Sequence, residues 1–226
     1  MSQHRSPSAD LDVPPGAAAV ADSFRSPAAL ARLLVTTAIG LAADLLTKVW
    51  AFDRLMYNRI TADDGSVHVQ SHTYALIPGW LHFHVTANQG AVFGMGQGNR
   101  WLFVAVSAMA IGFLLYLFAT SAPRQRAYQV IVGMLLAGVL GNLYDRLFFG
   151  YVRDMIYMLP GHAWPDWVAR LLPGQAWARG PVFPWIFNVA DALLCTGVAL
   201  MLAYSLVTAR RAAADERRAP LEPVET

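Results

Sequence analysis

Four long apolar stretches dominate this 226-residue sequence. An α-helix rises about 1.5 Å per residue, so roughly 20 apolar residues in a row are needed to cross the hydrocarbon layer of a membrane. The stretches that meet this requirement are residues 28–52, 101–120, 128–149 and 185–208. We therefore expect an α-helical integral membrane protein with four transmembrane helices.

Composition favours a membrane protein over a soluble one. Hydrophobic residues make up 56% of the chain and charged residues only 14%, whereas soluble domains carry about 25% charged residues. The net charge of +2 is far too small for a nucleic-acid-binding protein, and the arginines are scattered at the ends of the apolar stretches. The single cysteine, Cys195, excludes an internal disulfide and a cysteine-rich metal site.

The polar parts of the chain divide it into two tails and two longer segments around one membrane domain at 28–210. Residues 1–27 are rich in Pro, Ser and Ala, and we expect them to form a disordered tail. Residues 211–226 predict a second solvated tail. We call residues 53–100 the first outer segment and residues 150–184 the second outer segment.

Basic residues in short loops predict the orientation of the helices, because cytoplasmic loops carry an excess of Lys and Arg. Three places on one side of the membrane hold such pairs: Arg25 and Arg32, Arg124 and Arg126, and Arg210 and Arg211. We therefore expect both termini in the cytoplasm and both outer segments on the other side.

The outer segments carry two further patterns. Apolar and polar residues alternate at 66–69 and at 80–85, which predicts short strands and a small sheet on the outer membrane surface. His82 and His84 would share one face of a strand, but no carboxylate or cysteine stands beside them at ligand spacing, and we expect no metal site. The second outer segment contains three tryptophans among its prolines, which indicates an interfacial lid resting on the lipid headgroups. They are Trp164, Trp167 and Trp177.

A charged pair interrupts the first apolar stretch. Asp44 and Lys48 stand four residues apart with the acid first, the favourable order for an ion pair on a helix. A charged group in a membrane span costs roughly 2.5–3.5 kcal/mol on insertion scales and is commonly functional. Two interpretations remain open: a self-neutralising pair at the end of the helix, or a pair that supports a functional site.

More polar residues lie at the predicted outer ends of the other stretches. Spacings of three and four place three of them on one helical face. They are Asn142, Asp145 and Arg146. Gly150 offers a break that would return Asp154 to the same place, and Asn188 and Asp191 stand at the outer end of the fourth stretch. Four carboxylates, including Asp44, thus converge at one depth, which is too many for helix-pairing contacts alone.

Five motifs that contain these residues occur in a fixed order along the chain. They are DLLTK at 44–48, NQGAVFG at 88–94, GNLYDR at 141–146, GYVRD at 150–154 and FNVAD at 187–191. Together they resemble the bacterial lipoprotein signal peptidase family, also called signal peptidase II, over about residues 30–208. Members are four-helix inner-membrane aspartyl proteases that cleave prolipoproteins just before a cysteine carrying diacylglycerol. The resemblance implies the same fold and activity here.

The resemblance also implies roles for individual residues. The catalytic pair maps onto Asp154 and Asp191. Asn88, Asn142, Arg146 and Asn188 map onto the substrate site, and Gly90 would let the backbone approach the substrate closely. Asp44, Lys48 and Asp145 map onto a supporting polar network.

The resemblance implies partners as well. They are diacylglyceryl-prolipoprotein substrates, membrane lipids and the inhibitor globomycin. We expect a monomer that needs no metal or organic cofactor, because two carboxylates that share a proton can supply both the acid and the base for peptide hydrolysis.

Two other classes of protein remain as alternatives. A proton-coupled transporter or channel subunit would have acids near the bilayer midplane, broken helices and internal repeats, and the sequence shows no repeat. A non-catalytic membrane scaffold would tolerate the loss of any carboxylate. The chain also departs from the family pattern, because its second outer segment is longer than usual where family members have a lid.

Overall fold

A computed structural model describes residues 22–90, 99–171, 175 and 179–218. It contains six helices within these ranges. They are α1 (Asp22–Arg25), α2 (Pro27–Leu55), α3 (Arg100–Thr120), α4 (Arg126–Phe148), α5 (Asp166–Leu171) and α6 (Val189–Arg218). Four of them, α2, α3, α4 and α6, are long and apolar enough to cross a membrane. This confirms the prediction of an α-helical integral membrane protein.

Six strands form two antiparallel sheets. They are β1 (Met56–Thr61), β2 (Val67–Ser71), β3 (Thr73–Ile77), β4 (Leu81–Asn88), β5 (Val152–Met158) and β6 (Ile186–Phe187). Strands β1 and β2 pair with each other, and the other four pair in the order β3-β4-β5-β6. The alternating patterns at 66–69 and 80–85 thus correspond to β2 and β4.

Helix α4 lies at the centre of the helical bundle and packs against α2, α3 and α6. One hydrophobic core fills the space between these helices and includes Leu33, Phe118 and Val132. A second core joins the end of α2 to the sheets and includes Phe52 and Met155. The second core fixes the sheets against the end of α2, near the polar motifs.

The start of α2 follows from its sequence. Ser26 is the N-cap, and its side chain accepts a hydrogen bond from the backbone N–H of Ala29 at 3.3 Å. Pro27 occupies the first helical position, where its missing N–H leaves no intrahelical hydrogen bond unmade.

The predicted first tail is structured at its end. Residues 22–25 form α1 instead of continuing a disordered tail, because two contacts fix this turn. The Ser23 hydroxyl donates to the carbonyl of Ser121, and the Phe24 ring packs edge-on against Phe118 with centroids 5.1 Å apart. Residues 1–21 lie outside the described part of the chain.

Part of the second outer segment belongs to the four-stranded sheet, and the lid remains a prediction for the rest. Its first part, β5, pairs with β4 on one side and with β6 on the other, so it lies inside the sheet. Ile186 and Phe187 pair with this strand, and the fourth membrane helix therefore begins at Val189 instead of residue 185. Between β5 and β6, the described residues include the short helix α5, where Trp167 is exposed. Pro173 and Trp177 lie outside the described residues.

Candidate active site

The ten residues predicted to form the site meet where the ends of α2, α4 and α6 join the four-stranded sheet. Contacts recorded in the structure connect every one of them to at least one other member. They are Asp44, Lys48, Asn88, Gly90, Asn142, Asp145, Arg146, Asp154, Asn188 and Asp191.

Lys48 is the centre of a buried ion network. Its Nζ atom lies 2.7 Å from Asp44 Oδ2 and 3.0 Å from Asp145 Oδ2, and all three side chains are completely buried. The same Nζ donates to Asn142 Oδ1 at 3.2 Å. The ammonium group therefore joins α2 to α4, and Asp44 is not simply one half of a pair within its own helix.

Arg153 is the fourth charged member of this network and was not among the predicted site residues. Its Nε and Nη2 atoms donate to Asp145 Oδ1 at 3.0 and 2.8 Å, and its backbone N–H donates to Asp145 Oδ2 at 2.9 Å. The guanidinium also lies 4.1 Å from the centre of the Phe149 ring. The number of charged residues in the motifs could have indicated its role. Two buried acids with a single lysine leave one negative charge unbalanced, so a second base is required.

The turn between α4 and β5 makes this contact possible. Gly150 has φ +84°, a left-handed conformation that glycine adopts without a steric penalty. The chain therefore leaves α4 after Phe148 and returns as β5. Gly150 is thus the break that the sequence predicted, and Asp154 lies on a strand.

Asp44 holds the start of α6 in place. Its Oδ1 atom accepts a hydrogen bond at 2.8 Å from the backbone N–H of Ala190, one of the first N–H groups of that helix. Gly141 leaves the space for this carboxylate, because a Cβ atom at residue 141 would overlap it. The glycine of the GNLYDR motif is therefore required by packing.

Asn188 and Asp191 cap the same helix reciprocally. The Asp191 N–H donates to Asn188 Oδ1 at 2.9 Å, and the Asn188 N–H donates to Asp191 Oδ2 at 3.3 Å. This is the geometry of a capping box, which satisfies two helix-end donors at once. The three-residue spacing that the sequence showed thus fixes the position of the Asp191 carboxylate.

Asp154 lies on β5, and two amide side chains hold its carboxylate. Asn88 Nδ2 donates to its Oδ2 atom at 3.0 Å, and Asn188 Nδ2 donates to its Oδ1 atom at 2.6 Å. Only 1% of the Asp154 surface is exposed. No arginine or lysine forms a salt bridge with this carboxylate among the residues that the structure describes.

A chain of amides connects the two proposed catalytic carboxylates. Asn188 Nδ2, which holds Asp154, also donates to Asn142 Oδ1 at 3.1 Å. Asn142 Nδ2 in turn donates to Asp191 Oδ1 at 2.7 Å. Asp154 and Asp191 therefore lie in one hydrogen-bonded unit built from α4, β5 and the start of α6.

Burial, reinforced by the nearby charge of Asp191, raises the pKa of the Asp154 carboxyl to about 8. The hydrogen bonds from Asn88 and Asn188 oppose this rise without cancelling it. At neutral pH the pair therefore binds one proton, which resides mainly on Asp154. A neutral carboxyl beside an ionised one provides an acid and a base in the same place.

Arg146 borders the pair on the side of the NQGAVFG motif. Its Nη2 atom donates to the Gly90 carbonyl at 3.3 Å, and its guanidinium lies 5.0 Å from the centre of the Phe103 ring. The Gly90 N–H donates to Asn88 Oδ1 at 3.0 Å, which forms a tight turn. Residues 91–94 of the motif lie outside the described part of the chain.

The fold and the site define a multi-pass membrane protein in which two carboxylates share a site built by polar motifs from three helices and a sheet. Comparison with known proteins gives this arrangement a family. A sequence profile described as signal peptidase (SPase) II matches residues 36–207, more than half of the chain.

Named relatives agree with this match. The lipoprotein signal peptidase of Desulfitobacterium hafniense (strain DSM 10664 / DCB-2) is 30% identical over 164 residues, which is 72% of this chain and 91% of that protein. The lipoprotein signal peptidase of Listeria monocytogenes serotype 4a (strain HCC23) is 31% identical over 136 residues, which is 60% of this chain and 76% of that protein. The chain belongs to the signal peptidase II family of bacterial membrane proteins, which are aspartic-type proteases.

A solved structure has the same fold. A bacterial membrane enzyme solved by the in meso method superposes with a TM-score of 0.58 at 24% sequence identity, and covers 85% of this chain and 94% of the other. Membership of a protease family favours a peptidase over the transporter and scaffold alternatives.

Proposed function

We propose that this protein is an intramembrane aspartic endopeptidase that cleaves the signal peptide from diacylglyceryl-modified prolipoproteins just before the lipidated cysteine. The relatives named lipoprotein signal peptidase support the substrate class. The observation that carries the chemistry is the amide chain that joins Asp154 and Asp191, since in the described part of the chain no lysine or arginine forms a salt bridge with Asp154.

Asp154 acts as the general acid and Asp191 as the general base in this mechanism. The half-buried Asp191 takes a proton from the attacking water, while Asp154 gives its proton to the carbonyl oxygen of the substrate. A tetrahedral diol forms. When the C–N bond breaks, Asp191 passes its proton to the leaving nitrogen and Asp154 regains one from the diol, so the pair returns to its starting state.

The ion network supports this pair from one side. Asp44, Lys48, Asp145 and Arg153 contribute two negative and two positive charges, so the network as a whole is neutral. The charge of Lys48 lowers the pKa of Asp154, but burial and the charge of Asp191 outweigh it and keep this pKa raised. Its hydrogen bonds to Ala190 and to the Arg153 backbone position the helix end and the strand that carry the two acids.

Five residues have donors or carbonyl groups suited to holding the substrate. They are Asn88, Gly90, Asn142, Arg146 and Asn188. In this proposal they orient the backbone of the substrate and its lipid ester, while the acyl chains remain in the bilayer between the helices. Globomycin binds at the same place, and one copy of the chain forms a complete site.

Cleavage of a synthetic lipidated peptide tests the proposal. Purified protein should release the signal peptide from a diacylglyceryl-modified prolipoprotein peptide, and globomycin should block the release. Mass spectrometry of the products identifies the bond that is cut. A folded protein that leaves the peptide intact would overturn the proposal, as would cleavage at another bond.

The orientation of the site needs a separate test. We propose that both termini are cytoplasmic and that the catalytic pair lies near the periplasmic face. In a Cys195→Ser background, a membrane-impermeant thiol reagent should label Ser66→Cys from outside and should not label Gln125→Cys. External labelling of Gln125→Cys would invert the topology.

A further inference from the structure

Gln89 lies in the NQGAVFG motif between two residues of the candidate site, and the mechanism above does not use it. Asn88 before it donates to the Asp154 carboxylate, and Gly90 after it donates its N–H to the Asn88 side chain. Gln89 makes a different contact. Its Nε2 atom donates to the backbone carbonyl of Val67 at 3.0 Å. The side chain therefore connects the candidate site to β2.

The Val67 carbonyl is available because it lies on the open edge of the two-stranded sheet. At the turn of this hairpin, the Ala62 N–H donates to the Ser66 carbonyl at 2.8 Å. Thr61 and Val67 form the next pair. Hydrogen-bonded and non-hydrogen-bonded pairs alternate along an antiparallel ladder, so this pair directs its backbone groups away from each other. β2 pairs with no strand but β1 in the described part of the chain, and the Gln89 amide occupies its open edge.

The two-stranded sheet is fixed to the end of α2, so it can serve as an anchor. β1 begins at Met56, directly after the last residue of α2, and the His72 N–H beyond β2 donates to the Leu55 carbonyl at 2.9 Å. Val67 and Val69 pack against the second hydrophobic core. Both ends of the hairpin therefore meet at one helix end, which fixes the position of the Val67 carbonyl.

The turn after β4 needs such an anchor. Strand pairing between β4 and β5 ends at Asn88, and the Gly90 N–H donates within the turn itself. The contact from Arg146 to the Gly90 carbonyl is long, at 3.3 Å. The shorter bond from Gln89 ties the turn to a part of the fold outside the site. This bond therefore limits how far the Asn88 amide can move from Asp154.

We propose that Gln89 is a positioning residue, which fixes the turn after β4 against the two-stranded sheet and thereby holds the Asn88 amide on Asp154. This inference rests on the proposed function, because it assumes that Asp154 supplies a proton during peptide cleavage. Gln89 acts through Asn88, so its loss should change how tightly Asp154 binds its proton as well as the rate of cleavage.

The pH profile of cleavage can detect this role. The hydrogen bond from Asn88 lowers the pKa of Asp154 and so opposes the effect of burial. A looser turn weakens this bond, so the pKa of Asp154 should rise and the alkaline limb of kcat/KM should move to higher pH. A neutral substitution at Gln89 leaves the other charged groups that interact with Asp154 in place. They are Asp191 on α6, Lys48 on α2 and Arg146 on α4.

Two variants of Gln89 test the proposal in the lipidated-peptide assay. Gln89→Met retains the length of the side chain and removes the donor. Its kcat/KM below the alkaline limb should fall by about three- to tenfold, the worth of about one hydrogen bond. The limb itself should move up by about half a pH unit, which corresponds to partial loss of such a bond. Gln89→His supplies an N–H donor that is largely uncharged above pH 7, and it should recover part of both effects.

A matched control lies on the same hairpin. Gln70 on β2 is exposed, and its side chain accepts a hydrogen bond from Asn58 at 3.0 Å. It has the same side chain as Gln89 but no contact with the turn after β4 in the described structure. Gln70→Met should therefore have the rate and the pH profile of the wild-type protein.

The remaining outcomes separate the role of Gln89 from the proposed function. An unchanged alkaline limb in folded Gln89→Met would overturn the positioning role and leave the proposed function intact. An equal change in Gln70→Met, or no recovery in Gln89→His, would overturn it too. A Gln89→Met protein that does not fold would show that Gln89 serves stability instead. Failure of the wild-type protein to cleave any lipidated peptide would overturn the proposed function and the role of Gln89 with it.

Discussion

Two groups of acids lie side by side at the ends of the membrane helices, and only one of them is paired with bases. Asp44 and Asp145 contact Lys48 or Arg153 at 2.7–3.0 Å. Among the residues that the structure describes, Asp154 and Asp191 accept hydrogen bonds from amide side chains and a backbone N–H at a helix end, and neither forms a salt bridge. We call the first group the paired acids and the second the amide-held acids.

The difference shows how one fold separates support from chemistry. A buried acid bonded to a base is ionised and fixed, and removing either partner leaves an uncompensated charge. A buried acid held only by amides retains a proton that it can transfer. The paired acids should therefore determine stability, and the amide-held acids should determine turnover.

Removing the charge of an amide-held acid should have the largest effect on activity. Asp154→Asn and Asp191→Asn should each reduce cleavage of lipidated peptide by at least about 10²–10⁴-fold, because each removes a proton-transfer group. Asparagine retains the shape of the side chain but replaces one acceptor oxygen by an N–H donor, so each variant should lose about one hydrogen bond and its melting temperature should fall modestly. Asp166→Asn on the exposed helix α5 is the matched control and should cleave normally. Near-normal turnover by either site variant would contradict the assignment.

Removing a paired acid should instead reduce stability. Asp44→Ala leaves Lys48 in a network with excess positive charge and leaves the Ala190 N–H without its partner, at a cost of about 3–5 kcal/mol. Yield and thermal stability in detergent should fall, and the double variant Asp44→Ala/Lys48→Met should recover part of the loss. An Asp44→Ala protein as stable as the parent yet inactive would place Asp44 among the catalytic residues.

Arg153 provides a more conservative perturbation of the same network. Arg153→Lys retains the charge but loses the two-pronged contact with Asp145, and should destabilise the protein by about 1–3 kcal/mol. The loss of this contact should displace the strand that carries Asp154. The kcat of the variant should therefore fall by a larger factor than its KM rises. Unchanged kcat with an altered KM would mean that Arg153 acts on substrate binding.

The positions of the acids along the helices were largely predictable from the sequence, whereas their contacts with residues of other helices were not. The spacing of Asp44 and Lys48 predicted a helical ion pair, whereas the three-residue spacing of Asn188 and Asp191 was seen without the helix cap that it forms. Nothing local indicated that Lys48 also contacts Asp145, because that contact requires α2 and α4 to pack side by side.

The strands and the first tail show the same limit. Alternation predicted β4, but β6 contains only two residues, and it forms because β5 offers a free edge beside it. The turn at 22–25 likewise depends on Ser121 and Phe118, about 100 residues away along the chain. The local sequence determines the propensity of a segment to form a helix or a strand. Contacts between residues this far apart along the chain form only in the assembled fold.

The pH dependence of the two groups should also differ. Because the pKa of Asp154 is raised to about 8, cleavage should decline as pH rises past that value and the pair loses its shared proton. Folded protein binds more protons at Asp154 than unfolded protein between about pH 4 and 8, so this residue makes stability fall as pH rises through that window. Asp154→Asn should remove that slope. A slope that persists in the variant would assign it to another group.

The smallest effect is expected in the second outer segment. Trp167 is exposed on α5, and Trp164 precedes that helix. Replacing both by Ala should weaken contact with lipid headgroups and raise the apparent KM for lipidated substrate by a few-fold, with kcat little changed. Steady-state kinetics in detergent and in lipid bilayers would show this difference. If the variant and the wild-type protein had the same kinetics in both media, the segment would not assist substrate entry.

The division between paired and amide-held acids can be tested in one assay. The double variant Asp145→Asn/Arg153→Met removes an ion pair as a unit and leaves Asp44 and Lys48 balanced, so initial rates of lipidated-peptide cleavage should remain measurable for folded protein. Asp154→Asn, purified and assayed beside it, should show no cleavage above background. Measurable cleavage by Asp154→Asn together with complete loss in the double variant would contradict the account.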